Sequence, residues 1–257
     1  MCKQLLIESG CKFDAHYRVT SVDPPELVRY IKQYHPDVAR EVPRDADGKP
    51  ITMWNLIPSK NLPPTRVSRY CCEALKESGG DGRLTVTGVR WAESRKRANN
   101  HGAVTVMKST KALRQDVNWT PNKSGGVILT NDNLDSRRMV EQCYKRRKIN
   151  VNPIIEWTDA DVWDFIRDRK LPYCELYDQG YSRLGCLGCP LSSDQIKELN
   201  AYPKYKAAYM RAFEQMLAQR KTIGNDTEWK TPEEVYHWWV QDGVLPEQMT
   251  MNLDDIA

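Results

Sequence analysis

The chain has 257 residues, with 38 Lys and Arg against 34 Asp and Glu, a net charge of +4 and a mean hydropathy of −0.67. That length can bury a substantial core as one large α/β domain or a domain with an appendage, and the near balance of charge gives no global electrostatic argument for nucleic acid. No stretch approaches the ~20 apolar residues of a membrane helix, and the opening Met1-Cys2-Lys3-Gln4-Leu5-Leu6-Ile7-Glu8 is too short an apolar run for a signal peptide, so a cytoplasmic protein is expected.

In chain order, Gln4 to Ser9 reads as the end of a helix with Gly10 at the C′ position, and His16 to Val22 alternates like a strand. Pro24 and Pro25 then open a helix through Tyr34, the β-then-α rhythm of an open parallel sheet whose ligands gather at the carboxyl ends of strands, where Asp23 stands. His35 to Pro64 is a long excursion interrupted by the apolar string Ile51 to Ile57, and Arg69 to Glu77 is a helix. Ser78-Gly79-Gly80-Asp81-Gly82 breaks it before a strand from Arg83 to Val89.

After that strand, Gly88-Val89-Arg90-Trp91-Ala92-Glu93-Ser94-Arg95-Lys96-Arg97 places four basic residues and one acidic one within positions 90 to 97. A glycine at a strand end followed by arginines and a serine suits a phosphate or sulfate, because guanidinium forks match its geometry; a solvated helix start is the equal alternative. A second basic cluster, Lys145-Arg146-Arg147-Lys148 after Arg137 and Arg138, is a weak nucleic-acid signal and fits an ordinary helix end better. Val151 to Ile155 reads as a strand ending, and Thr158 N-caps a helix with Asp161 at N3. Tyr202, Tyr205, Tyr209, Phe213, Met216 and Leu217 recur at helical spacing, and Thr231 and Pro232 open a last helix through Trp239.

Eight cysteines in a reducing compartment are expected to ligate metal or react, with disulfides disfavoured. Cys71 with Cys72, and Cys186 with Cys189, form two pairs that point to a four-thiolate site. The second lies in Gly185-Cys186-Leu187-Gly188-Cys189-Pro190, where glycines allow close backbone approach and proline ends the turn. Adjacent cysteines strain the chain around one tetrahedral zinc, whereas the separate irons of a cubane accept them more easily. Three readings stand: an iron-sulfur cluster, a structural zinc, or ordinary buried or redox-active thiols. Cys2, Cys11, Cys143 and Cys174 are scattered and read as mostly structural, with Cys143 the exception.

The string Asn152-Pro153-Ile154-Ile155-x-Trp157-Thr158-x-x-Asp161-Val162-Trp163, followed by Leu171-Pro172-Tyr173-Cys174 and the block through Cys186-x-x-Cys189-Pro190, resembles the phosphoadenosine phosphosulfate (PAPS) reductase family. Arg69-Tyr70-Cys71-Cys72 and Gly88-Val89-Arg90-x-x-Glu93-Ser94-x-x-Arg97 resemble two further family blocks in the right order, so the likeness covers roughly residues 4 to 195. It implies an adenine-nucleotide α-hydrolase-like α/β fold, an open, mostly parallel sheet flanked by helices, in residues 1–195, with a helical C-terminal extension over 196–257. It also implies adenylyl-sulfate or ATP-derived chemistry in sulfur metabolism or transfer, with a thiol or other redox donor, and a 4Fe-4S cluster on Cys71, Cys72, Cys186 and Cys189. Zinc is the alternative cofactor. Gly88, Arg90, Glu93, Ser94 and Arg97 would face the sulfate or phosphate end and Asp23 the nucleotide.

Two departures bear on activity. Family members begin with a strand and a Ser-Gly-Gly-Lys-Asp-Ser phosphate loop, whereas this chain begins within what looks like the following helix. Thiol-dependent members carry a Glu-Cys-Gly tail nucleophile, whereas no cysteine follows Cys189 here. The resemblance therefore also permits an ATP pyrophosphatase or sulfurtransferase-like component of nucleic-acid modification, or a truncated non-catalytic remnant, and assigns no catalytic residue.

Overall fold

The computed structural model describes residues 1–80, 82–107, 111–131, 133–134, 148–225 and 228–241. Cys143, Arg137, Arg138 and Lys145 to Arg147 lie outside the described residues. The chain forms two compact units, one of Met1–Ala15 with Gly79–Tyr173, the other of His16–Ser78 with the chain from Cys174 onward.

The unit that starts at His16 opens with β1 (His16–Arg18), the helix Pro25–Tyr34 and β2 (Ala39–Glu41), and β1 pairs parallel to β2 with His16 opposite Ala39. A helical crossover is what a parallel pair requires. Arg18 fastens the register, its Nη1 lying 3.2 Å from Glu41 Oε2. The strand expected to reach Val22 stops at Arg18, because Ser21 turns into the left-handed region at φ 65° and the Thr20 N–H is taken by the Asp23 carboxylate at 3.0 Å. The excursion from His35 to Pro64 holds, besides β2, a helix over Met53–Lys60 that begins on a reciprocal Thr52–Asn55 capping box and buries Met53, Leu56 and Ile57. Those side chains pack with Tyr209, Phe213, Met216 and Leu217 of the helix Pro203–Thr222 and with Val235 and Trp239 of Pro232–Val240. Each such apolar side chain contributes about 1.5–3 kcal/mol when fully buried. The last helix starts on the expected Thr231 cap, with Glu234 completing a capping box.

The other unit carries β3 (Leu84–Val86), β4 (Val104–Val106), β5 (Trp119–Pro121), β6 (Val127–Leu129) and β7 (Ile149–Val151), in spatial order β3-β7-β4-β6-β5. β3 and β7 are parallel, while β4, β6 and β5 add antiparallel pairings. The α/β class with helices around a central sheet is as expected. The sheet itself is mixed, because β5 returns directly into β6 through a turn whose Asn122 side chain accepts from the N–H groups of Ser124 and Gly126. Val106, Trp119, Val127 and Ile149 form its core. Buried Asn152 ties the strand ends, accepting from the Thr87 hydroxyl and donating to the Gly102 carbonyl at 2.7 Å. The helix Asp159–Asp168 begins on the Thr158–Asp161 capping box, and the first helix, Cys2–Glu8, runs out toward Gly10 at φ 69°.

Candidate functional site

Cys71 and Cys72 leave a single α-turn, Tyr70–Cys72, that widens at once into a π-helical turn over Glu73–Glu77, where a regular helix was expected. Such widened turns are frequent at functional sites. Here it buries Leu75 and brings Lys76 to the wall of a cavity of about 40 Å³. The same cavity is lined by Cys71, Cys72, Cys186 and Cys189, with Met53 and Tyr209 as apolar walls. Both cysteine pairs singled out in the sequence are thus brought together within one unit. The volume exceeds the roughly 10–15 Å³ that one water needs. Among the described residues, no three Cys, His, Asp or Glu side chains are set to hold one metal ion.

The thiols are electrostatically unequal. The hydrogen bond from Cys71, and then the Arg69 guanidinium 3.7 Å from its sulfur, hold Cys72 well below the ordinary thiol range, while the same hydrogen bond and burial push Cys71 up. Burial likewise raises Cys186, opposed by Lys76. Burial works to lower the Lys76 ammonium, but Cys186, Asp23 and Cys72 leave it raised. Two cations therefore face a set of four soft donors, which is the donor chemistry that thiophilic metals and iron-sulfur clusters take.

The Cys186–Cys189 loop is held from the helices that follow it. Gly188 sits at φ 71°, and a Cβ there would stand 2.9 Å from Leu199 and 3.2 Å from both Tyr209 and Trp239, so only glycine fits. Glu198, 8% exposed, accepts from Gly188 N at 3.0 Å and from the Ser192 hydroxyl at 2.9 Å. Gln195 donates to Gly188 O and the Tyr209 hydroxyl to Leu187 O. Sequence reasoning missed Lys76, Glu198 and Gln195. Tyr209 looked like helical core, and its hydroxyl gave no signal by spacing.

Asp23 is buried in the cysteine-bearing unit, where its carboxylate accepts from Thr20 N and lies close to Lys76 and Tyr17. The remaining expected oxyanion residues belong to the other unit, on the chain after β3. Glu93 accepts from Arg90 N at 3.0 Å and pairs with Arg97, and Ser94 caps the short helix Arg95–Asn100 by accepting from Arg97 N. The Arg90 side chain, 12% exposed, donates to the Trp157 carbonyl at 3.3 Å and to the Asp159 carboxylate at 2.6 Å. Gly88 lies against the Cys2 sulfur, which a Cβ would meet at 3.4 Å. This segment brings guanidinium forks together with carboxylates of the chain's own.

Among curated proteins, an adenosine 5'-phosphosulfate reductase of Staphylococcus epidermidis is 51% identical over 43 residues, covering 17% of this chain and 18% of that protein. One of Geobacillus kaustophilus is 37% identical over 76 residues, 28% of this chain and 32% of that one. An uncharacterized protein of Methanocaldococcus jannaschii is 35% identical over 84 residues, 32% of this chain and 19% of that one. The chain thus aligns with about a fifth to a third of the length of these relatives. Among the described residues, no helix is long and apolar enough to cross a membrane. The phosphoadenosine phosphosulfate reductase domain model matches residues 25–192, well over half the chain and a span that holds both cysteine pairs and the Arg90 segment; the chain belongs to that family.

Proposed function

We propose that this protein carries a 4Fe-4S cluster on Cys71, Cys72, Cys186 and Cys189 and acts on an adenylyl-sulfate nucleotide in sulfur metabolism, with a thiol as electron donor. The observation that carries this reading is the cavity lined by all four thiols, drawn from segments far apart in sequence. A cubane takes one thiolate at each iron, so its ligands surround a volume. When bound, such a cluster supplies a centre whose potential is set by burial and by hydrogen bonds to its sulfurs. The chain's own part is to supply Lys76 and Arg69 as compensating cations, Met53, Leu75 and Tyr209 as a water-excluding wall, and a loop of fixed shape.

At the sulfate or phosphate end the reading assigns Gly88, Arg90, Glu93, Ser94 and Arg97, all of one unit. An incoming sulfate or phosphate would replace Asp159 on Arg90 and Glu93 on Arg97, since the same forks bind either anion. Residues 1–195 would form the reductase-like part and 196–257 its helical extension. Anaerobic purification, a visible spectrum and iron, sulfide and zinc analysis test the cofactor, with iron and sulfide expected in equal amounts near ~4 per chain. A colourless, zinc-loaded protein sinks the cluster.

A further inference from the structure

Every backbone hydrogen-bonding group from Leu187 to Pro190 has a partner within its own unit. Leu187 N donates to Val22 O at 2.8 Å, Cys189 N to Cys186 O at 3.2 Å, and Ser192 N returns to Cys189 O at 2.8 Å. Gly188 N donates to Glu198 Oε2 at 3.0 Å, and Arg66 Nε donates to Pro190 O at 3.0 Å. The carbonyls of Leu187 and Gly188 accept from Tyr209 at 2.9 Å and from Gln195 at 3.1 Å. Glu198, Gln195 and Tyr209 all lie beyond residue 192, where the family match ends. A buried carboxylate is costly unless its hydrogen bonds are worth the desolvation. Both oxygens of Glu198 are used on this loop, one on the glycine between the cysteines and one on Ser192.

We propose that Glu198 is a positioning residue that clamps the Cys186–Cys189 loop in its ligating conformation, so that the helices after residue 192 form the back half of the cluster cradle. The geometry of the clamp stands by itself, while its purpose rests on the cluster reading above. A loop with its backbone satisfied before metal arrives keeps two thiols at fixed spacing and slows their release from iron.

The test uses the full chain with Glu198→Ala, Glu198→Gln and Ser192→Ala. Amide hydrogen exchange of residues 186–189 is read in the metal-free protein, and iron release to a chelator is read after anaerobic reconstitution with ferrous iron and sulfide. Glu198→Ala is expected to speed loop exchange and to accelerate iron release by roughly 10–100-fold, with exchange in the helix Pro203–Thr222 unchanged. Glu198→Gln should recover most of both, because its amide oxygen still accepts from Gly188 N. Ser192→Ala, which frees one carboxylate oxygen and keeps the residue, should move both readouts the same way by a smaller factor. Should Glu198→Ala fail to fold, these two milder variants carry the decision. Loop exchange unchanged in the folded variants overturns the clamp, whatever the metal content. If the wild-type chain takes up no iron while the variants loosen the loop, the clamp stands and the cluster reading falls alone.

Discussion

Gly188→Ala puts the cysteine loop to its most direct test. An alanine at φ 71° costs about 1–2 kcal/mol in the left-handed region. Its Cβ would also stand 2.9 Å from Leu199 Cδ2 and 3.2 Å from ring carbons of Tyr209 and Trp239, inside the ~3.5–4.0 Å at which carbon atoms attract. Tyr209 has little freedom to retreat, being 1% exposed, hydrogen-bonded to Leu187 O and 4.6 Å from the Trp239 ring centroid. Overpacking of this kind costs about 1–3 kcal/mol, which makes the whole ~2–5 kcal/mol. Gly224 supplies the control: at φ 68° with no described residue within 4 Å of its ideal Cβ, Gly224→Ala meets the backbone cost without the clash. Loss of unfolded-state entropy on Gly→Ala is common to both variants and cancels in the comparison. Urea unfolding of the metal-free chain, followed by tryptophan fluorescence, reads the difference, and a Gly188→Ala loss no larger than that of Gly224→Ala would refute the packing argument.

The inequality of the paired thiols gives a pH dependence. The hydrogen bond from Cys71 and the Arg69 cation depress Cys72, so in the metal-free protein it should alkylate with iodoacetamide well below the ordinary thiol value of about 8.5, while raised Cys71 stays unreactive there. By sign, that depression favours folding above the free-thiol value, and the gain is lost as pH falls through the lowered one. Peptide mapping that finds both cysteines labelled together near 8.5 contradicts it. Arg90→Ala should weaken binding of an adenylyl-sulfate ligand by about 1–3 kcal/mol and Asp159→Asn should strengthen it by removing the competing carboxylate; unchanged affinities by calorimetry refute the placement. Thr52→Ala removes the side-chain half of a capping box and should cost about 0.5–2 kcal/mol in urea unfolding, whereas an unchanged midpoint would mean the Met53–Lys60 helix does not depend on its cap.

Legibility followed the range of each interaction. The Thr158 and Thr231 caps, the left-handed Gly10 and the long aromatic helix could be read because capping and helical periodicity act within a few residues. The three-residue strands β4, β5 and β6 could not, since alternation needs more residues to declare itself and their pairing depends on distant partners. The Met53–Lys60 helix was hidden by its Pro58 and by its place inside a proline-rich stretch.

By itself the sequence determined the family, through its ordered motif blocks, and singled out two close cysteine pairs, the second with glycines between and beside its members, because such local patterns are written into the chain. Only the tertiary structure decided that the four thiols share a cavity, that Lys76 reaches it from a π-helical turn, and that Arg90 is held by Asp159. It alone revealed Glu198. A buried carboxylate on the far side of a turn carries no spacing signature, because its role is defined by the backbone N–H it meets, and that meeting exists only once the helices after residue 192 have packed.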